Sequence, residues 1–311
     1  MEAKFKGCLL GAAVGDALGM QTEGLSPAEV SKLGWIRDYG TGSLNPKLRP
    51  GQYTDDTQQT LLLAESLAEK GRLDMDHYAS KLKKWGLKLR ENPELDRMTG
   101  RTSLEAIERL LGGVSWQESG GERASCGAAM RVAPVGMLYW QDLQLAGEMA
   151  ALSALPTHSS PAARAGAAAV AVGVAAALQG KNASEIVRAA SSAASRWDKP
   201  LADRIRFAWK LKDFDSRTAL ERIGASPLVW EAVPAAFYCL AHSPRSFSGV
   251  VLAAVNFGDD SDSVASMAGA ISGALLGVGA IPARWLAGLE DHDEIERIAV
   301  RLWQLSQRLQ V

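Results

Sequence analysis

A chain of 311 residues that is 47% apolar and 22% charged, with a mean hydropathy of −0.05, is large enough to bury a substantial core. That excludes a disulfide-stapled miniprotein and a disordered tail. Lys and Arg total 34 against 35 for Asp and Glu, a net charge of −1, so no basic excess exists to neutralise phosphates and no nucleic acid is expected as a partner. Cys8, Cys126 and Cys239 are widely spaced and form no CxxC pair, which fits a reduced compartment; a cytoplasmic location is expected.

From the N-terminus, the apolar run after Met1 is cut by Asp16, so no export signal is read there. Helical periodicity predicts helices over 5–18, 57–70, 77–89, 102–111, 145–155, 162–178, 183–196, 202–209, 228–240, 247–255, 264–278 and 294–310. Alternating Val/Ile/Thr runs are nearly absent, which argues for an all-α fold. Residues 162–178 and 264–281 are long enough to test as membrane spans, but Ala, Gly and Ser dominate them. Closely packed core helices are the expectation, and no membrane partner. Gly11, Gly15 and Gly19, like Gly269, Gly273 and Gly277, recur every four residues, the pattern of helix faces in close approach. The stretches 21–54, 92–100 and 111–127 lack helical period and are where a site is expected. No linker, repeat or charge block divides the chain, so residues 1–311 are read as one domain, and a monomer is expected.

Two predicted helices begin with acids. Thr54, Asp55 and Asp56 precede the helix at 57–70, and helix capping alone accounts for them. The second start, Gly258-Asp-Asp-Ser-Asp-Ser263, has three carboxylates in four residues. Capping cannot use them all, and clustered carboxylates repel unless cations or protons intervene. If the two starts converge, Asp55, Asp56, Asp260 and Asp262, with the Thr54 and Ser263 hydroxyls, form an all-oxygen set suited to two hard divalent ions. Mg²⁺ comes first, then Mn²⁺ or Ca²⁺. An EF-hand is set aside, since its turn glycine and terminal Glu are missing.

The order of five segments resembles the ADP-ribosylglycohydrolase family across nearly the whole chain. They are Gly11-Ala-Ala-Val-Gly-Asp-Ala-Leu-Gly19 followed by Glu23, then Gly51-Gln-Tyr-Thr-Asp-Asp-Thr57, Cys126-Gly-Ala-Ala-Met-Arg131, Thr157-His-Ser-Ser-Pro161 and Asn256-Phe-Gly-Asp-Asp-Ser-Asp-Ser263. The resemblance implies an all-α fold with a binuclear Mg²⁺ or Mn²⁺ centre at the bottom of a cleft for an ADP-ribosyl unit. It carries metal ligation to Thr54, Asp55, Asp56, Asp260, Asp262 and Ser263. Glu23, Asp96 and the metal-site Asp55 become the candidates for activating water. Gly127, Ala128, Arg131 and His158 become candidate substrate contacts. Two departures stand out: Asp259 replaces a glycine of the family pattern, and Ser263 replaces a threonine.

Asp16 needs a donor among its apolar neighbours, for orientation of the site or simply as a buried hydrogen bond. Leu82, Trp85 and Leu89 give the basic run 81–90 the spacing of an ordinary amphipathic helix. Trp35, Tyr39 and Trp116 are candidates for stacking an adenine. The expected activity is hydrolysis of the bond at C1 of ADP-ribose on a modified protein, with arginine as the first acceptor. O-acetyl-ADP-ribose, serine-linked ADP-ribose and an inactive binding role are the alternatives.

Overall fold

The computed structural model describes residues 1–44 and 46–309, so position 45 of the long irregular segment and position 310 of the last predicted helix lie outside the described residues. In chain order the α-helices are α1 (Glu2–Gly19), α2 (Pro27–Lys32), α3 (Asp55–Lys70), α4 (Met75–Glu91), α5 (Arg101–Leu111), α6 (Ala133–Leu138), α7 (Leu143–Ala154) and α8 (Pro161–Leu178). They continue with α9 (Ala183–Ala194), α10 (Lys199–Lys210), α11 (Ser216–Ile223), α12 (Val229–His242), α13 (Phe247–Val255), α14 (Ser261–Leu276), α15 (Ala283–Gly288) and α16 (His292–Ser306). Two isolated bridges, Gly121 with His158 and Ser125 with Leu228, are the β-type pairing among the described residues. The fold is all-α, and every predicted helix is present. Short helices α2, α6, α11 and α15 were not anticipated, because fewer than three turns give too little periodicity to read.

The core is built on small residues. Helix α8 passes the length and hydropathy test for a membrane span, yet 89% of it is buried inside the protein. Its alanines and glycines let α6, α7, α9, α12 and α14 pack around it. In α4, Leu82, Trp85 and Leu89 are buried while Lys84, Lys88 and Arg90 face outward, as expected of a solvated helix face.

The tightest contact is between α1 and α14. A methyl group at Gly7 or Gly11 would overlap the backbone of Gly273 or Gly269, and one at Gly15 would overlap Ala265. At Gly19 it would overlap the backbone of Asp262. The four-residue glycine spacing therefore works as a ladder of backbone contacts whose last rung holds the acidic start of α14.

Candidate active site

The acidic starts of α3 and α14 meet. Their side chains wall a cavity of about 120 Å³ together with Glu23, the loop residues Met98 and Gly100, the start of α5, residues 125–127 and His158. Two of the long irregular segments, 92–100 and 111–127, thus contribute walls, and 21–54 contributes Glu23.

Helix α3 starts on Asp16. This fully buried carboxylate accepts from the Thr54 N–H at 2.9 Å, the Thr57 N–H at 2.9 Å and the Thr57 hydroxyl at 2.5 Å. A residue of α1 thereby takes the capping work that the sequence would assign to Asp55 and Asp56. Those two are left for other chemistry: Asp55 Oδ2 accepts from Gln59 Nε2 at 2.6 Å, and Asp56 Oδ2 has no hydrogen-bond partner. Thr54 is fully buried, and its hydroxyl accepts from the Asp56 N–H at 3.3 Å.

At α14, Asp260 Oδ2 accepts from the Cys126 thiol at 3.0 Å, and Asp262 Oδ1 accepts from the Ser263 N–H at 2.8 Å. The Ser263 hydroxyl lies 3.7 Å from Met130 Sδ. Carboxylate oxygens of Glu23, Asp260 and Asp262 lie within 4.8 Å of one another, and Glu23 Oε2 is buried without a partner. Burial, then the charges of Asp262 and Asp260, push the Glu23 carboxyl far above its ordinary range. Burial and neighbouring acids, Asp262 first, do the same to Asp55 and Asp56. Asp262 itself is pushed up by burial and by Asp260. Crowded anions with orphaned oxygens are what a bound cation would resolve, so the donor set fits hard divalent ions.

Asp259 has φ +58° after Gly258 at +94°. Its N–H donates to Leu25 O and its C=O accepts from Gly24 N–H, both at 2.8 Å, which pins the chain beside Glu23. Its side chain is not part of the cavity wall. The backbone there is of the type glycine adopts freely, so D259G should keep the site and leave stability equal or higher by up to about 1 kcal/mol, read by thermal denaturation.

Three expected site residues sit elsewhere. Arg131 is 1% exposed and does not face the cavity. Its guanidinium donates to Gln59 Oε1 and Thr157 Oγ1, both at 2.5 Å. Ala128 is buried beside Gly127, which alone of the pair reaches the wall. Asp96 is exposed on the rim and accepts from the Thr99 N–H at 3.0 Å, because the turn at Pro93–Leu95 holds it outside. Trp35, Tyr39 and Trp116 are also absent from the wall; Tyr39 instead donates to Trp285 O and Trp116 to Asp76. His158 does line the cavity, fully buried, with its basicity lowered to about 3 by burial and by nearby Arg131. It is a neutral imidazole, suited to hydrogen bonding and not to charge pairing.

Residues given no part in the sequence reading include Gln59 and Met98. Gln59 had a readable signal, since it stands one helical turn after Asp55.

The family model described as ADP-ribosylglycohydrolase matches residues 1–310. The chain belongs to the ADP-ribosylglycohydrolase family. Among relatives, this ADP-ribosylglycohydrolase is 41% identical to an uncharacterized protein of Archaeoglobus fulgidus over 99% of both chains. It is 32% identical to the ADP-ribosylarginine hydrolase Tri1 of Serratia proteamaculans, over 97% of this chain and 80% of that one. A solved structure described as an ADP-ribosylglycohydrolase-related protein complex superposes with a TM-score of 0.81 at 29% identity, covering 98% of each chain. Membership makes the protein a hydrolase of ADP-ribosyl linkages, in a metal-dependent family.

Proposed function

We propose that this hydrolase removes ADP-ribose from arginine side chains of modified proteins. The observation that carries the reading is the cavity in which Glu23, Asp260 and Asp262 converge while Glu23 Oε2 and Asp56 Oδ2 have no partner. The arginine acceptor is supported by the relative named ADP-ribosylarginine hydrolase and by Asp96, an exposed carboxylate that can meet a guanidinium.

Asp55, Asp56, Asp260 and Asp262, with Thr54 and Ser263, would hold two divalent cations, Mg²⁺ by choice of donor and Mn²⁺ as its substitute. Such ions, when bound, supply positive charge that anchors ribose hydroxyls and opposes the crowding of the carboxylates. A cavity of about 120 Å³, close to the roughly 150 Å³ that admits a benzene ring, has room for about one sugar ring. The diphosphate and adenine would extend beyond it, past Gly127, whose missing side chain leaves room beside His158. Of the three candidate bases, Glu23 fits best. Asp96 is outside the cavity and Asp55 is held by Gln59, whereas Glu23 has a free oxygen inside. With cations offsetting its acidic neighbours Glu23 would be a carboxylate; as water attacks C1 of the ribose, Glu23 takes a proton from it, the C1–N bond breaks and that proton passes to the leaving guanidine. A cytoplasmic monomer, with no nucleic acid or membrane as partner, accords with the charge balance and with three buried free cysteines.

The test is release of free ADP-ribose from an arginine-ADP-ribosylated protein, with Mg²⁺ and with EDTA, beside serine-linked ADP-ribose and O-acetyl-ADP-ribose. Release from the arginine substrate, dependent on metal, is the expected result. Release from another substrate alone would overturn the acceptor, and full activity in EDTA would overturn the ligand set. Saturating Mg²⁺ should also raise stability by about 2.7 kcal/mol at a hundredfold excess over the dissociation constant, seen as a higher melting temperature.

A further inference from the structure

We propose that Arg131 is a positioning residue that ties the acidic half of the cavity to its His158 half and sets the His158 tautomer. The inference rests on the proposed activity only for its kinetic consequence. The guanidinium is 1% exposed, and among the described residues no carboxylate lies within ion-pair distance of it. A buried charge without an ion-pair partner is costly and calls for an explanation. Here its donors are divided between the two sides of the site.

On one side an Arg N–H donates to Gln59 Oε1 at 2.5 Å. Arginine can only donate, so the Gln59 oxygen must face it and the amide NH₂ must face away. That NH₂ donates to Asp55 Oδ2 at 2.6 Å. On the other side a second Arg N–H donates to Thr157 Oγ1 at 2.5 Å. Thr157 is fully buried, so its hydroxyl hydrogen needs an acceptor, and His158 Nδ1 lies 2.8 Å away. Nδ1 therefore carries no hydrogen, and the neutral ring bears it on Nε2. Nε2 lies 3.0 Å from Ser125 Oγ, which thus accepts and turns its own hydrogen outward, either to Thr102 at 3.4 Å or to a ligand oxygen. Because Ser125, Thr102 and His158 all wall the cavity, one buried cation dictates the polarity of the wall opposite the acids. The adjoining Tyr78 ring, 5.9 Å from the guanidinium carbon, helps hold it in place.

The direct test reads the ring without substrate. The protein has four histidines, His77, His158, His242 and His292, so side-chain ¹⁵N–¹H spectra at pH 7 can be assigned by losing one signal in H158N. The expected wild-type signature is a single Nε2–H tautomer for His158. T157V, nearly isosteric and lacking the hydroxyl, should convert it to a mixture with the Nδ1–H form and lower kcat about tenfold with little change in KM. R131K keeps the charge but not the fork, and should shift the tautomer in the same direction if it folds. An Nδ1–H ring in the wild type, or an unchanged tautomer in T157V, would overturn the proposal. A wild type that shows the Nε2–H ring yet releases no ADP-ribose from any substrate would instead overturn the proposed activity and leave the network standing.

Discussion

Replacing Asp262 with asparagine is expected to cut ADP-ribose release by at least about a hundredfold and, in EDTA, to raise the melting temperature. The two effects share a cause. Asp262 is the acid whose charge burdens Glu23, Asp55 and Asp56 alike. Asparagine keeps the oxygen that accepts from the Ser263 N–H but removes the charge. Without cations the repulsion among buried carboxylates falls, a gain on the order of 1 kcal/mol; with cations a ligand is lost. The wild type should show a matching pH dependence. Burial and Asp260 push the folded Asp262 carboxyl up to about 7, above the unfolded value of about 3.9. The folded form therefore holds the proton more tightly, so in EDTA stability is greatest at low pH within this window and declines as pH rises from about 4 toward 7. Saturating Mg²⁺ should flatten or reverse that slope. Thermal melts of wild type and D262N across this range, with and without EDTA, check both. A variant less stable than wild type in EDTA would show that the acids are not in mutual conflict.

Much of this was readable before the fold. The long helices announce themselves by period, and the three acids between Gly258 and Ser263 exceed any capping need. What was not readable is which acid caps which helix. The start of α3 looks self-capped, and the Thr54 hydroxyl does cap the Asp56 N–H, but Asp16, some forty residues earlier, takes the Thr54 and Thr57 N–H groups and leaves the carboxylates of Asp55 and Asp56 free of capping. A long-range hydrogen bond leaves no local pattern. Arg131 misleads for a related reason: an Arg beside small residues suggests an anion site, but its partners Gln59 and Thr157 come from distant segments that only the fold brings together. Asp96 follows a one-turn helix and stands exposed, a placement that its sequence neighbours do not announce.

The glycine ladder separates stability from function in a way a pair of variants can read. G273A and G19A both add one methyl between α1 and α14, where the methyl would meet the backbone of Gly7 in one case and of Asp262 in the other. Backbone cannot yield as a side-chain tip does, so each should destabilise by roughly 1–3 kcal/mol. Their effects on catalysis should differ. Gly273 is about three turns of α14 away from Asp262, and forcing the helices apart there leaves the start of α14 held by Gly19, by the Ser261 hydroxyl on Gly19 O at 2.9 Å and by Thr22 on Ser261 at 2.9 Å. At Gly19 the methyl presses on Asp262 itself, so the carboxylates lose their mutual register. G19A should therefore lose most ADP-ribose release and most of the stabilisation by Mg²⁺, while folded G273A keeps both at a lower melting temperature. Equal retention of activity and of Mg²⁺ stabilisation in the two variants would mean that the α1–α14 contact supports the fold without setting the position of Asp262.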